Sequence, residues 1–303
     1  MVQMGKAVRI LVLHWRGIEH TRACLASIRT LQYDNFKVLL VDNGSEAEDG
    51  ALLKEEFPEV DLLRLDSNKG FSGGCNAGID YCLDAGADYI WLLNNDATVE
   101  PATLSALVDA AEGDTAAGAV SACIVERDKE NGKIVKRVGR GVLDIFNAKA
   151  HLRAPDSEEV KECDWISGSN MLLRADALRQ TGALNDDYFL YFEDVEICTR
   201  LKEHGWKCLL VPFASIEHVD GASTEGEFLS WRYYYYARNR LFFFSSYPGI
   251  LTRFYCLARI YLHLLRHALV LPFKSGKSRA KLEAERRAFF DFLAGVKGKV
   301  DFS

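Results

Sequence analysis

Between Ala87 and Pro101 the chain reads ADYIWLLNNDATVEP. Residues 89–93 form a short apolar run, as expected of a strand buried on both faces, and the run stops at Asn94, Asn95 and Asp96. The same pattern recurs upstream. Residues 8–13, 37–41 and 60–65 are apolar strand candidates, and the second of them ends in VDNGS, residues 41–45. Helical patterns separate them at 19–30, with Cys24, Leu25 and Ile28 on one side, at 51–57 and at 72–85. This alternation predicts an α/β fold with a mainly parallel central sheet flanked by helices. Ligands of such sheets bind beyond the carboxyl ends of the strands, so Asp42 and Asp96 are expected to face one crevice.

The remaining composition is that of a globular protein. The chain has 303 residues, 49% hydrophobic and 26% charged, enough for one large domain or two closely packed ones. Its 8 cysteines include no C-x-x-C pair, which favours reduced, buried thiols over disulfides or a zinc site. Residues 1–9 carry charge and no apolar signal core, so a cytoplasmic location is expected.

Between the two acids lies SNKGFSGGCNAG, residues 67–78. Its glycines, Gly70, Gly73, Gly74 and Gly78, are expected to let backbone approach a ligand, and the helix start after the loop to favour phosphate. It is not a Walker A loop, because no Gly-Lys-Ser/Thr follows. The one GKS, at 276–278, has Leu271 where the first Walker glycine belongs, and no G-x-G-x-x-G follows the first strand.

The second half, from about Gly118, is less regular. DWISGSNMLLRADAL (164–178) reads as a turn or strand feeding a helix. In DDYFLYFEDVEICTRLKEHGW, Asp194 is expected to cap a helix that runs to His204 and stops at Gly205. A strand at 208–211 precedes IEHVDGAS. Taken singly, Asp96 is an ordinary turn acid and His218 an ordinary loop histidine. Together they form a pair able to hold a divalent cation on a diphosphate, whose own oxygens complete the shell. Glu193 and Asp194, flanked by Phe189, Tyr191 and Phe192, admit two readings. They are favourable charges at a helix start, or one is a catalytic base whose pKa burial raises.

In this order, VDNGS, NKGFSGGCNAGI, WLLNNDATVEP, WISGSNMLLR, YFLYFEDVEICTRLKEHGW and HVDGAS resemble family 2 glycosyltransferases, in their rhamnosyltransferase-like branch, over roughly residues 8–245. The resemblance implies a GT-A fold. Residues 1–230 would be the glycosyltransferase domain, with 1–110 the nucleotide-sugar half and 111–230 the acceptor half. It implies an inverting transfer from a dTDP- or UDP-sugar, with L-rhamnose from dTDP-rhamnose the first choice. The acceptor would be a glycan, carried on a polyisoprenoid, in cell-surface polysaccharide or glycoprotein glycan assembly. Carried over residue by residue, Asp42 contacts the nucleoside, and Asn68, Gly70 and Asn76 lie near the nucleotide and sugar. NND takes the place of the D-x-D motif, with Asn95 at the donor. Asp96 and His218 hold Mg²⁺ or Mn²⁺, and Asp194 is the catalytic base. Two departures stand out: NND has a single acid, and LHWRG puts His14 where relatives carry an amide. A rival reading is an inactive nucleotide-sugar-binding or membrane scaffold protein.

The tail differs from the body. Residues 231–303 hold 14 Lys and Arg against 4 Asp and Glu, leaving 23 basic and 39 acidic residues before them. The longest uncharged stretch, 241–252, is too short to span a bilayer. On a helical wheel Arg253, Arg259, His263, Arg266 and His267 fall within an arc of about 140°. Phe254, Leu257, Ile260, Tyr261, Leu264, Leu265 and Leu269 lie opposite. The expectation is a basic amphipathic helix on the inner leaflet of a membrane, assisted by Lys274, Lys277, Arg279 and Lys281. The alternative is a helix packed on the catalytic domain. The acidic body argues against nucleic acid as a partner. Arg238, beside Asn239, is either close to a diphosphate or structural.

Overall fold

The computed structural model describes residues 5–45, 48–128, 132–218, 227–270 and 275–302. The apolar runs read from the sequence become strands β1 (Val8–His14), β2 (Phe36–Asp42), β3 (Asp61–Arg64) and β4 (Tyr89–Asn94), and α1 (Ile18–Ile28), α2 (Asp49–Glu56) and α3 (Gly70–Asp84) connect them. They pair in parallel, in the order β4-β1-β2-β3. Both faces of β1 are covered, which is why residues 10–13 form an unbroken apolar run. Val8, Ile10 and Val12 share a core with Cys24, Leu25 and Ile28 of α1, and Leu11 shares the other with Cys75, Ile79 and Cys82 of α3. Register sets His14 opposite Asp42 and Leu13 opposite Asn94, so the polar strand ends meet at one edge.

The glycines of α3 serve this packing. A Cβ on Gly74 would lie 2.6 Å from Leu13 Cδ1, and one on Gly78 would collide with Leu11. At these two positions the missing Cβ brings the helix close to the sheet, whereas Gly73 lines a cavity.

After β4 come β5 (Ala97–Val99), α4 (Thr103–Gly113), β6 (Ala117–Arg127), β7 (Ile134–Val138), β8 (Arg140–Asp144), β9 (Lys149–Arg153), β10 (Lys161–Glu162), β11 (Asn170–Arg174), α5 (Ala175–Thr181), α6 (Glu193–Glu203) and β12 (Lys207–His218). Here the sheet is mixed. β11 lies antiparallel between β4 and β6, β12 is parallel to β6, and β5 and β10 run antiparallel to β12. A parallel neighbour needs a crossover, usually helical. Between β6 and β11 the described chain forms hairpins instead, with β7 on β6 and β8 on β9, so β11 enters reversed.

The C-terminal part is three helices, α7 (Glu227–Ser246), α8 (Ile250–Val270) and α9 (Gly276–Leu293). α7 passes through residue 230 and enters the main core through Leu241, Phe243 and Phe244. The apolar side foreseen for α8 is divided. Ile260 is buried and Leu257 and Leu264 lean on the core, whereas Phe254, Tyr261, Leu265 and Leu269 are exposed. Among the described residues no helix is long and apolar enough to cross a membrane. All 8 cysteines are free and buried. The side chains of His267 and Lys277, all of Lys274, and 219–223 of HVDGAS lie outside the described residues.

Candidate active site

Asp42 closes β2 at the carboxyl edge and is fully buried. Its Oδ1 accepts a bond from the Ser45 N–H (2.9 Å), and the Arg64 guanidinium stands 3.8 Å from Oδ2. Oδ2 has no hydrogen-bond partner. A buried acceptor left open costs about 1–3 kcal/mol, and such a group marks a place where a ligand can supply the missing donor. His14, opposite, is equally buried. Its Nδ1 is 2.8 Å from Thr21 Oγ1 and its Nε2 3.3 Å from Asp49 Oδ2. Burial lowers its pKa against the pull of Asp49, so its ring is a neutral part of the wall.

The loop into α3 is built on two asparagines. Asn68 Oδ1 accepts from the Gly70 N–H (2.7 Å), and Asn43 Oδ1 accepts from the Lys69 N–H (2.9 Å). Asn43 Nδ2 donates to the Gly70 carbonyl (2.9 Å). The first helical N–H groups, of Phe71 and Ser72, donate to the Phe189 carbonyl. The helix start expected to receive phosphate is therefore occupied by protein, because Gly70 (φ 76°) turns the chain so that Phe189 docks there. A Cβ on Gly70 would overlap the Phe189 ring and carbonyl. Gly70→Ala combines this overlap with a left-handed φ and is expected to destabilise the fold by about 2–4 kcal/mol, read in urea unfolding. A loss under 1 kcal/mol would disprove the docking. Asn43 was not singled out in the sequence, although VDNGS contains it.

Two other asparagines have backbone partners. Asn76 Nδ2 donates to the Leu184 carbonyl and to Asp186 Oδ1, and its Oδ1 accepts from the Leu184 N–H. Asn95 Nδ2 donates to the Arg16 carbonyl (3.0 Å) and Thr21 Oγ1 (2.8 Å), which ties NND to the turn after β1.

Asp96 and His218 are brought together by strand pairing. β5 starts one residue after Asp96 and runs antiparallel to the end of β12, with His218 opposite Ala97. His218 Nε2 lies 3.0 Å from Asp96 Oδ1, which is buried and has no aligned hydrogen bond. Two ligands at about 2.1 Å in neighbouring octahedral positions stand about 3.0 Å apart, so the pair fits one edge of a small divalent cation's shell. Among the described residues no third His, Cys, Asp or Glu joins them. A cation here would need its other ligands from substrate oxygens and water.

Asp194 sits in the first turn of α6. The N-cap position expected for it is held by Phe192, whose φ of 73° lets the chain enter the helix two residues earlier. Asp194 Oδ1 accepts from the Val195 N–H (2.8 Å) and Oδ2 from the Gly168 N–H (3.2 Å). The next residue, Ser169, accepts from the Asn94 N–H (3.0 Å). ISGSN thus joins Asp194 to the NND edge. Burial raises the Asp194 carboxyl from 3.8 to about 6, against the opposing N–H donors. Glu193 is only 5% exposed, its Oε2 has no partner, and burial plus the Asp194 charge push its pKa well up. Of the two acids, Asp194 is the less buried residue.

The loop before α6 is strained. Phe189, Tyr191 and Phe192 all have left-handed φ, at 62°, 68° and 73°. Asn239 Nδ2 holds it by donating to the Tyr188, Leu190 and Tyr191 carbonyls. Arg238 donates to the Asp187, Tyr188 and Gly298 carbonyls and is fully buried, which decides for the structural reading of that arginine. A cavity of about 330 Å³ opens between this loop and the strand ends, walled by Trp15, Gly44, Ser67 and Asn68 on one side and by Trp231, Tyr235 and residues 299–302 on the other.

Comparison with known proteins gives concordant matches. The Glycosyl transferase family 2 model covers residues 14–182. An N-acetylglucosaminyl-diphospho-decaprenol L-rhamnosyltransferase of Mycobacterium tuberculosis is 30% identical over 227 residues, 68% of this chain and 73% of that protein. The crystal structure of GalNAc-T7 with UDP, GalNAc and Mn²⁺ superposes with a TM-score of 0.66 at 12% identity, over 97% of this chain. The chain spans 57% of that structure's length. A Pyrobaculum calidifontis mannosyltransferase in complex with GDP-Man and Mn²⁺ superposes with a TM-score of 0.60 at 14% identity, covering 96% of this chain and 88% of that one. At these identities the two structures share a fold with this chain.

Proposed function

The chain belongs to glycosyltransferase family 2 and has the GT-A fold, and on that premise we propose that it transfers L-rhamnose from dTDP-rhamnose, with inversion, to a polyisoprenoid-linked glycan. The observation that carries this reading is Asp194. Its carboxyl is raised by burial to about 6, and it is joined through Gly168 and Ser169 to the edge that carries Asp96. The choice of sugar and lipid rests on the rhamnosyltransferase relative.

In this mechanism Asp42 receives the nucleoside at its open Oδ2. The acceptor hydroxyl lies against Asp194, which takes its proton as the oxygen attacks the anomeric carbon. The bond to the diphosphate breaks on the opposite face, with its electron pair leaving on the phosphate oxygen, and the configuration inverts. One base suffices, since no water has to be activated as in a glycosidase. Asp96 and His218 would hold Mg²⁺ or Mn²⁺, which when bound neutralises charge on the departing diphosphate.

The exposed Leu251, Phe254, Leu265 and Leu269 of α8, with Arg253 and Arg266 on the same helix, fit peripheral attachment to the cytoplasmic face of an anionic membrane. Flotation with anionic vesicles tests this. Loss of flotation in Leu251→Asp/Phe254→Asp is expected, and flotation unchanged by both would remove the membrane role.

The second reading, a binding or scaffold protein without turnover, draws on the single acid in NND. A thermal-shift panel of dTDP, UDP, GDP and CMP, with and without Mn²⁺ or Mg²⁺, tests the donor site. At a hundredfold excess over Kd a ligand adds about 2.7 kcal/mol of stability. One nucleoside diphosphate is expected to raise Tm only with the metal, and Asp96→Ala to remove that dependence. No shift with any nucleotide would overturn the donor assignment. Turnover measured with the nucleotide sugar then separates enzyme from scaffold.

A further inference from the structure

The cavity at the ends of β1, β2 and β3 is walled in part by the far end of the chain. After α9 the backbone returns to it and is fastened there. Gly298 donates to the Asp187 carbonyl (2.8 Å) and accepts from Arg238 (2.8 Å), and the Val300 N–H donates to the Tyr235 hydroxyl (3.0 Å). The Phe302 ring stacks on Trp231 at 5.3 Å. Of the two lysines on this segment, Lys297 is committed to Asp187 (2.6 Å). Lys299 has no carboxylate within ion-pair distance among the described residues, and it lines both this cavity and the 630 Å³ cavity on the other side of Asn68. Among the described residues it is the one cation lining the 330 Å³ cavity, whose other charged groups there, Asp66 and Asp301, are acids.

We infer that residues 298–302 complete the donor site and that Lys299 binds the diphosphate of the nucleotide donor. This rests on the proposed donor reading. A diphosphate is the strongly anionic part of a nucleotide sugar, and in a cavity that also holds two carboxylates Lys299 is the lining group that attracts it. An ammonium without a partner is free to donate charge-assisted hydrogen bonds to phosphate oxygens. Asp66 and Asp301 of the same lining suit the hydroxyls of the pentose, which donate to carboxylates. The rigid anchors on both sides of Lys299 position its stem, and they tie the donor wall through Asp187 and Arg238 to the loop that carries Asp194.

Lys299→Ala and Lys299→Arg in the full chain, titrated calorimetrically with dTDP and UDP and, separately, with thymidine and uridine, test the assignment. The alanine variant is expected to bind the preferred nucleoside diphosphate about tenfold more weakly, the loss of one charged hydrogen bond, with nucleoside affinity unchanged. The arginine variant is expected to recover most of the affinity. Equal losses for nucleoside and diphosphate would make the segment a passive wall and overturn the phosphate role. Unchanged diphosphate binding in the alanine variant would overturn it while leaving the donor site intact. A wild-type protein that binds no nucleoside diphosphate would overturn this inference together with the donor reading.

Discussion

Asp194→Asn is expected to lower the rate of sugar transfer by about 10²–10⁴-fold, the range for loss of a general base, while nucleotide binding is retained. The amide matches the carboxylate in size, and its oxygen still accepts one of the two N–H groups, of Val195 or Gly168, that hold Asp194. What it loses is the ability to take a proton. The wild-type rate should rise with pH through a limb centred near 6, because the carboxyl must ionise before it can act and burial has raised it to about 6. An ordinary aspartate would place that limb near 4. Stability runs the other way. In the unfolded chain this group ionises near 4 and in the folded protein near 6, so between those values the folded state binds more protons. Its contribution to stability is present below about pH 4 and is lost as pH rises through 6. The asparagine variant lacks this loss and should melt no lower than wild type at pH 7. Glu193→Gln is expected to leave the limb in place, since Glu193 is buried and its pKa is pushed well up. Single-turnover rates across pH 4–8 check the three statements on rate, and thermal melts at pH 7 check the one on stability. A variant that turns over at the wild-type rate, or a limb near pH 4, would remove Asp194 from its role.

Arg238→Ala is expected to cost about 3–5 kcal/mol of folding stability and to reduce turnover, although Arg238 lies outside the transfer chemistry itself. Its guanidinium donates to the carbonyls of Asp187, Tyr188 and Gly298 and to Asn239 Oδ1, and it sits among the rings of Tyr234, Tyr235 and Phe242. Removing it leaves buried acceptors without donors and opens a cavity, two costs that add. The loop it holds contains the three left-handed residues before Asp194, each of which persists only while its surroundings hold it. Relaxation there would shift the base. Arg238→Lys keeps the charge and loses the planar fork, so it should recover only part of both quantities. Urea unfolding and initial rates measure them separately. A stability loss below 1 kcal/mol would show that the loop stands without the arginine.

The parallel half of the sheet was legible because its signal is local. An apolar run that stops at polar residues marks both a strand and its carboxyl end, as in LLVDN and WLLNND, and alternation with helical patterns supplies direction. The strand pairings then carried Asp42 and NND to one edge as expected. Features resting on distant partners were not legible. Asn43 was not singled out, yet it bonds across 26 residues to Lys69. The start of α3 looked free for phosphate, yet the Phe189 carbonyl takes its N–H groups. Lys299 was one charge in a basic tail, and nothing near it in sequence points to the cavity it lines.

By itself, then, the sequence determined the alternating architecture, the edge where the polar residues collect, and the motif order that marks the family. The first two depend on periodicity within a few residues, where covalent geometry leaves the chain little choice, and the third is a resemblance of six motifs in order. Tertiary structure alone decided that His218 stands against Asp96, that Glu193 is the more buried of the two acids, that Arg238 is a buried clamp, and that residues 299–302 line a cavity at the strand ends. Those outcomes depend on register between strands more than 100 residues apart and on burial, since desolvation and contact are properties of the packed molecule and not of any stretch of it.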